Sequence, residues 1–280
     1  MNTQKTQDTD SVPYVIEAQD LGYQVGQQKL LNGINLNIKR GEHWLIYGMN
    51  GCGKTTLLSM LAGFRQQTQG SLRVFGEPFT KENILEQRKR IGWISSSFFD
   101  AKYHHERVND IVLSGKFGTY GLGWDITSED HNRATDLLTA LGLEDKQYMS
   151  YDRLSKGQRQ NVLIARAFMS RPEILLLDEP CSGLDVLAKA RFMELLEQLM
   201  QKENLTVLFV THDINEVRGM FPNAVMLRNG RIFAQGKTEI LFQEEQLSKF
   251  FQQKIQLQSI ADTLITSADN GKRLHLELFL

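Results

Sequence analysis

The feature that most constrains this chain is Gly48-Met49-Asn50-Gly51-Cys52-Gly53-Lys54-Thr55, a glycine followed after four residues by Gly-Lys-Thr. Glycines let a backbone turn tightly enough for successive N–H groups to converge on one anion. An apolar stretch, His43 to Tyr47, precedes the loop, and Leu57, Leu58, Leu61 and Phe64 follow it at helical spacing. Strand, glycine-rich loop and helix is the order a phosphate-binding loop requires, because the helix then brings its positive end to the same anion. Lys54 is expected on the β- and γ-phosphates of a nucleotide and Thr55 on Mg²⁺, with Gly48, Asn50, Gly51, Cys52, Gly53 and Thr56 completing the cradle.

A nucleotide loop needs an acidic partner for its metal. Ile174-Leu175-Leu176-Leu177 reads as a fully buried strand and ends in Asp178-Glu179. Carboxylates at the C-terminal end of a parallel strand lie where open α/β sheets bind ligands. Asp178 is expected near the metal, and Glu179 as the group that orients or deprotonates the attacking water. A second apolar strand, Thr206 to Val210, leads to Thr211-His212-Asp213. By position His212 is a candidate for contact with the γ-phosphate.

The remaining pattern places these motifs in an α/β fold with a mostly parallel sheet. Tyr14 to Ile46 reads as strands, with Ile34, Leu36 and Ile38 alternating with asparagines, and is expected to form an N-terminal antiparallel β subdomain. Another strand is expected over Ser71 to Phe75. Residues 98–153 lack strand signals and are read as an inserted helical subdomain, with Ala134, Leu137, Leu138 and Leu141 on one helix face. Asn229-Gly230 marks a hairpin turn. The expected organisation is a disordered lead over 1–12, an ATP-binding domain over 13–236 and a C-terminal extension over 237–280. In that extension Leu247, Phe250 and Phe251 suggest an amphipathic helix, and Leu274, Leu276, Leu278 and Leu280 a final strand.

Composition adds exclusions. The formal net charge of the 280 residues is −1, so no global basic field recruits nucleic acid. The one dense basic run, Arg88-Lys89-Arg90, is read as a solvated face. Two cysteines, Cys52 and Cys181, cannot build a disulfide framework. No apolar stretch approaches the ~20 residues of a membrane helix, so any membrane function would need spanning segments from other chains. Adjacent histidines, His104 and His105, lack further ligands in sequence and are read as solvated.

Taken together, these motifs resemble the ABC ATPases. Leu154-Ser155-Lys156-Gly157-Gln158 is similar to the LSGGQ signature, with Lys156 in place of the first glycine. Ser182-Gly183-Leu184-Asp185 resembles the D-loop, and Tyr23 stands where an aromatic residue stacks on adenine. The resemblance covers about Tyr14 to Gly236. It implies a P-loop NTPase core and a head-to-tail dimer, a homodimer or a pair of related ATPases. Ser155, Gly157 and Gln158 of one subunit would then face the γ-phosphate of ATP held by the other, and Asp185 would communicate between sites. Lys54, Glu179 and His212 would carry hydrolysis. The implied machine is the energising subunit of a transporter, an importer by its single-domain chain, peripheral at the cytoplasmic face of the cell membrane and driving a transmembrane permease.

One departure bears on that coupling. The family has a glutamine soon after a strand like Ile91-Gly92-Trp93-Ile94, whereas this chain has Ser95-Ser96-Ser97 and no glutamine between Arg88 and Lys146. Ser96 is the nearest equivalent and the expected contact to the metal shell. A soluble ABC ATPase with a regulatory or remodelling role is the alternative that this departure favours.

Overall fold

The computed structural model describes residues 14–256 apart from Trp124, Lys202, Glu203, Ile214, Asn215, Val217 and Arg218. The expected lead over 1–12 and the alternating leucines from Leu274 to Leu280 lie outside the described residues.

Two sheets carry the fold. Strands β1 (Tyr14–Val25), β2 (Gln28–Lys39) and β4 (Gln69–Val74) form an antiparallel sheet in the order β2-β1-β4. In β2 the alternation seen in sequence is the burial pattern: Ile34, Leu36 and Ile38 are buried and the asparagines between them exposed.

The second sheet has the order β5-β6-β7-β3-β8-β9. It comprises β3 (His43–Tyr47), β5 (Ile91–Ser95), β6 (Ile174–Asp178), β7 (Thr206–Thr211), β8 (Asn223–Arg228) and β9 (Arg231–Lys237). The first five strands in that order are parallel and only β9 runs against its neighbour. Strands β5, β6 and β7 are buried at every position, as expected where both faces of a parallel sheet are covered.

Helices α1 (Lys54–Leu61) and α2 (Ile84–Lys89) precede β5. Between β5 and α6 (Lys156–Phe168) the chain is helical, with α3 (Ser96–Tyr103), α4 (Val108–Ser114) and α5 (Ser128–Ala140). This part is fastened to the sheet by an aromatic cluster: Trp93 of β5 lies 5.2 Å from Phe64 and 4.3 Å from Phe98, ring centre to ring centre. Buried Arg166 of α6 donates to the Tyr103 hydroxyl at 2.7 Å, so its charge has an oxygen partner inside the cluster.

The basic run is not simply a solvated face. The Arg88 guanidinium lies 4.1 Å from the centre of the Phe64 ring and donates to the Gly63 carbonyl at 2.6 Å. Arg90, with Arg40, pairs with Glu173. Sequence alone could not show this, because both partners are distant along the chain.

After α7 (Val186–Met200) and the β8–β9 hairpin come α8 (Thr238–Leu241) and α9 (Glu244–Phe251). The amphipathic stretch is therefore a helix. Its Phe250 lies 5.8 Å from Tyr47, and Phe242 lies 5.2 Å away, ring centre to ring centre. The last residue of β3, immediately before the glycine-rich loop, is thus braced by the segment after Gly236.

The hairpin turn also reaches the loop. Asn229 and Gly230 both have positive φ, 52° and 72°, as a two-residue turn between twisted strands requires. The Gly230 N–H donates to the Cys52 carbonyl at 3.0 Å, and its carbonyl accepts from the Asn32 N–H at 2.8 Å. A Cβ on Gly230 would stand 2.5 Å from the Leu30 carbonyl oxygen, a backbone atom that cannot swing aside. Gly230→Ala is therefore expected to cost about 1–3 kcal/mol, read as a lower urea midpoint. An unchanged midpoint would contradict this docking.

Candidate active site

The parallel register brings the chemistry to one sheet edge. Ser95 pairs with Asp178, Asp178 with Val210, and Tyr47 with Thr211. The strand ends therefore deliver Gly48, Ser95, Asp178-Glu179 and His212 side by side, although they are spread over more than half of the sequence.

A cavity of about 590 Å³ opens at this edge, bounded by Asn50, Gly51, Gly53, Lys54, Thr55 and Thr56 on the loop side. Asp178, Glu179 and Ser182 also border it. Gly53, at the start of α1, has φ 108°, and a Cβ there would meet the Leu31 side chain at 2.8 Å and the Leu30 carbonyl at 2.9 Å. Only glycine lets the loop enter its helix at this point.

Lys54 is buried, and a buried ammonium needs compensating oxygens. It donates to the carbonyls of Gly48 at 2.8 Å and Met49 at 3.2 Å, and pairs with Glu179 Oε1 at 3.3 Å. The same carboxylate oxygen lies 3.0 Å from His212 Nδ1. Glu179 is thus held between a cation and an imidazole, on a backbone with φ 51°. A non-glycine residue in that region costs about 1–3 kcal/mol, and the strain falls on the residue expected to handle the water.

Asp178 lies at the buried end of β6. Burial pushes its carboxyl above the usual range, while hydroxyl hydrogen bonds from Ser95 and Thr55 pull the other way. Ser95 Oγ donates to Asp178 Oδ2 at 2.7 Å. Oδ1 is buried and has no hydrogen-bond partner among the described residues. A buried carboxylate oxygen without a partner, on a carboxyl that also meets the Ser95 and Thr55 hydroxyls, offers the oxygen ligands that a hard cation such as Mg²⁺ takes.

Within the serine triplet the contacts are divided. Ser95, not Ser96, touches Asp178. Ser96 begins α3 and donates to Gln160 of α6 at 3.0 Å, while remaining on the cavity wall. The reason is register: β5 and β6 run in step, so the residue level with Asp178 is the last of β5. Counting residues back from each strand end could have suggested Ser95, but register between distant strands is not written in either one.

Other expected residues are dispersed. Ser155 caps α6 reciprocally with Gln158: Ser155 Oγ accepts from the Gln158 N–H at 3.3 Å, and Gln158 Oε1 accepts from the Ser155 N–H at 3.0 Å. Neither of them, nor Gly157, borders the cavity, whereas Lys156 and Arg159 do. Asp185 caps α7 by accepting from the Ala188 N–H at 2.8 Å. The next residues, Val186 and Leu187, are 80% and 59% exposed. Tyr23 is half-buried on β1, where its hydroxyl accepts from Arg65 at 2.7 Å. It is not on the cavity wall, which has Leu30 on that side. Leu30 and Asp100 were not singled out from sequence, because neither belongs to a glycine-rich or strand-end pattern.

The fold and this edge define a P-loop nucleotide hydrolase with an antiparallel strand subdomain. A family model described as ABC transporter matches residues 31–182. The uncharacterized ABC transporter ATP-binding protein YlmA of Bacillus subtilis is 35% identical over 79% of this chain and 85% of its own length. The zinc uptake system ATP-binding protein ZurA of Listeria innocua is 34% identical, with the same coverage of 79% and 85%. The solved dimer of the ATP-binding cassette MJ0796 in a post-hydrolysis state with ADP and Pi superposes with a TM-score of 0.68. It is 27% identical over 79% of this chain and 98% of that cassette. The chain belongs to the ABC transporter family, as an ATP-binding subunit and ATP hydrolase.

Cys52 sits in the loop but is buried, and burial raises its thiol above the ordinary value. Only the thiolate alkylates, so the labelling rate at Cys52 is expected to be low at pH 7 and to rise about tenfold per pH unit below the thiol pKa. Fast labelling at pH 7, read by mass spectrometry of the Cys52 peptide, would contradict the buried placement.

Proposed function

We propose that this chain energises a membrane transporter, closing head to tail with a second cassette around two ATP molecules and opening after hydrolysis. One observation carries the reading. The N-terminus of α6 has a complete capping box and is exposed at Ser155 and Lys156; Lys156 borders the cavity of its own phosphate loop, while Ser155, Gly157 and Gln158 do not. A helix N-terminus of this kind receives an anion, and on this reading the anion is the γ-phosphate held by the partner. The exposed Val186 and Leu187 beside Asp185 would be covered in the same closure.

Within one site, each group has its task. Loop N–H groups and Lys54 hold the β- and γ-phosphates, and phosphate entering the loop competes with Glu179 for the ammonium. Glu179 accepts a hydrogen bond from the attacking water, and His212, 3.0 Å from it, holds the carboxylate in place. Thr55 and Asp178, with Ser95 fixing one carboxylate oxygen, would hold Mg²⁺, which neutralises charge on the phosphate oxygens. Tyr23, although off the cavity wall, is the residue we propose to stack on the adenine.

Coupling to a permease is supported by relatives named as ATP-binding proteins of transporters and of an uptake system, the latter favouring import. No helix among the described residues is long and apolar enough to cross a membrane. The permease on this reading is a separate chain, and the cassette works at the cytoplasmic face of the membrane.

Lys54→Ala is expected to weaken ATP binding by about 10- to 100-fold, because it removes a charged hydrogen-bond donor. Glu179→Gln should bind ATP, lose about 10²–10⁴ in turnover and accumulate dimers in gel filtration. Wild-type affinity in the first variant would sink the phosphate assignment, and an exclusively monomeric second variant with ATP would sink the paired site. Affinity capture of the wild-type chain from solubilised membranes should bring down a polytopic partner. Its absence from every membrane fraction would favour an ABC ATPase without a permease.

A further inference from the structure

We infer that His104, His105 and Asp152 form a binding site for one borderline-soft divalent metal ion, with Zn²⁺ the best-matched class, outside the ATP site. The three residues come from two segments separated by 46 positions and from no motif of the ATPase. His104 and His105 directly follow α3, and Asp152 lies three residues before Ser155, the cap of α6.

The ligand atoms already converge. His104 Nδ1 is 3.6 Å and His105 Nδ1 3.8 Å from the same oxygen, Asp152 Oδ2, and the three residues' candidate atoms lie within 4.8 Å of one another. A tetrahedral ion with bonds of about 2.0–2.1 Å sets its ligands about 3.3–3.4 Å apart. Movements of a few tenths of an ångström in two exposed rings, plus a turn of one toward the other, would bring the set to that spacing.

The backbone and one hydroxyl pre-organise the site. The Asp152 N–H donates to the His104 carbonyl at 3.1 Å, and the Tyr151 N–H to the Glu106 carbonyl at 2.9 Å, so the two segments are already tied. Ser150 Oγ donates to Asp152 Oδ1, which turns Oδ2 toward the imidazoles. A carboxylate oriented in this way by an outer hydroxyl is the usual support of a metal ligand. Both rings are exposed, at 61% and 87%, so a water or a further donor has room for the fourth position.

The donor set chooses the metal. Two imidazole nitrogens and one carboxylate oxygen suit Zn²⁺, Ni²⁺ or Cu²⁺, and not Mg²⁺ or Ca²⁺, which take oxygen ligands. A bound ion would clamp the end of α3 to the segment entering α6. That segment is also held from the helix side, where Arg159 Nη2 donates to the Asp152 carbonyl at 2.8 Å. The clamp therefore acts on the same junction that presents Ser155.

The test uses the untagged full-length chain without nucleotide, since ATP itself binds zinc. Calorimetric titration with Zn²⁺ is expected to show one site, and Co²⁺ as its spectroscopic substitute should give visible bands of a low-coordinate nitrogen–oxygen site. Mg²⁺ should give neither signal. His104→Ala/His105→Ala and Asp152→Asn should each abolish the site, while Ser150→Ala weakens it by about tenfold. Zn²⁺ should raise the melting temperature of wild type and not of the double variant. Basal Mg-ATP turnover measured without zinc should be equal in all of them, which shows that the variants fold. No zinc uptake by the wild-type chain, or equal uptake by the double histidine variant, would overturn the inference.

Discussion

Everything in this protein depends on the step-for-step parallel pairing of β5, β6, β7 and β3. Parallel strands place equivalent ends at one edge, and here the register sets Ser95 beside Asp178 and Tyr47 beside Thr211. That edge is then capped by the glycine-rich loop. Its geometry is supported from outside the sheet by the Gly230 turn, which bonds to Cys52, and by Phe242 and Phe250, which pack on Tyr47. The segment after Gly236 had no evident role in sequence, and its first part is a brace for the strand that carries the loop.

At the edge itself, charge is balanced before any nucleotide enters. Lys54 is buried and shared between two carbonyls and Glu179, and Glu179 is shared between Lys54 and His212. On the proposed reading, a phosphate in the loop would compete with the carboxylate for the same ammonium. The network leaves Glu179 held by His212 and, with its strained backbone, aimed into the cavity instead of along the strand. Asp178 stands behind it, more enclosed than Glu179, with one buried oxygen that has no partner among the described residues.

The serine triplet changes what the family resemblance implies. Where the family has a glutamine soon after the strand, this chain starts a helix at Ser96 directly after β5. Ser95 then steadies Asp178, and Ser96 reaches Gln160 on α6. The connection between the metal-side carboxylate and the signature helix therefore runs through short hydroxyls and one glutamine that lies on α6 itself.

Much of the site was legible in sequence because its logic is local. A glycine pattern with lysine and threonine, two apolar runs ending in acidic or histidine residues, and a Ser-x-x-Gln capping box each specify a local conformation and one chemical role. The strands, the Asn229-Gly230 turn and the helix around Leu247 to Phe251 were legible for the same reason, since periodicity of two or 3.6 survives without tertiary context. What only the tertiary structure decided were contacts between distant segments. Ser95 meets Asp178 because register is a property of two strands, and Arg88 and Arg90 are tied down by Phe64, Gly63 and Glu173. His104 and His105 became a converging ligand set only when a carboxylate 47 residues beyond His105 was folded against them. Sequence could name each side chain's chemistry, but distance in space between remote residues is set by packing, and it is distance that makes a site.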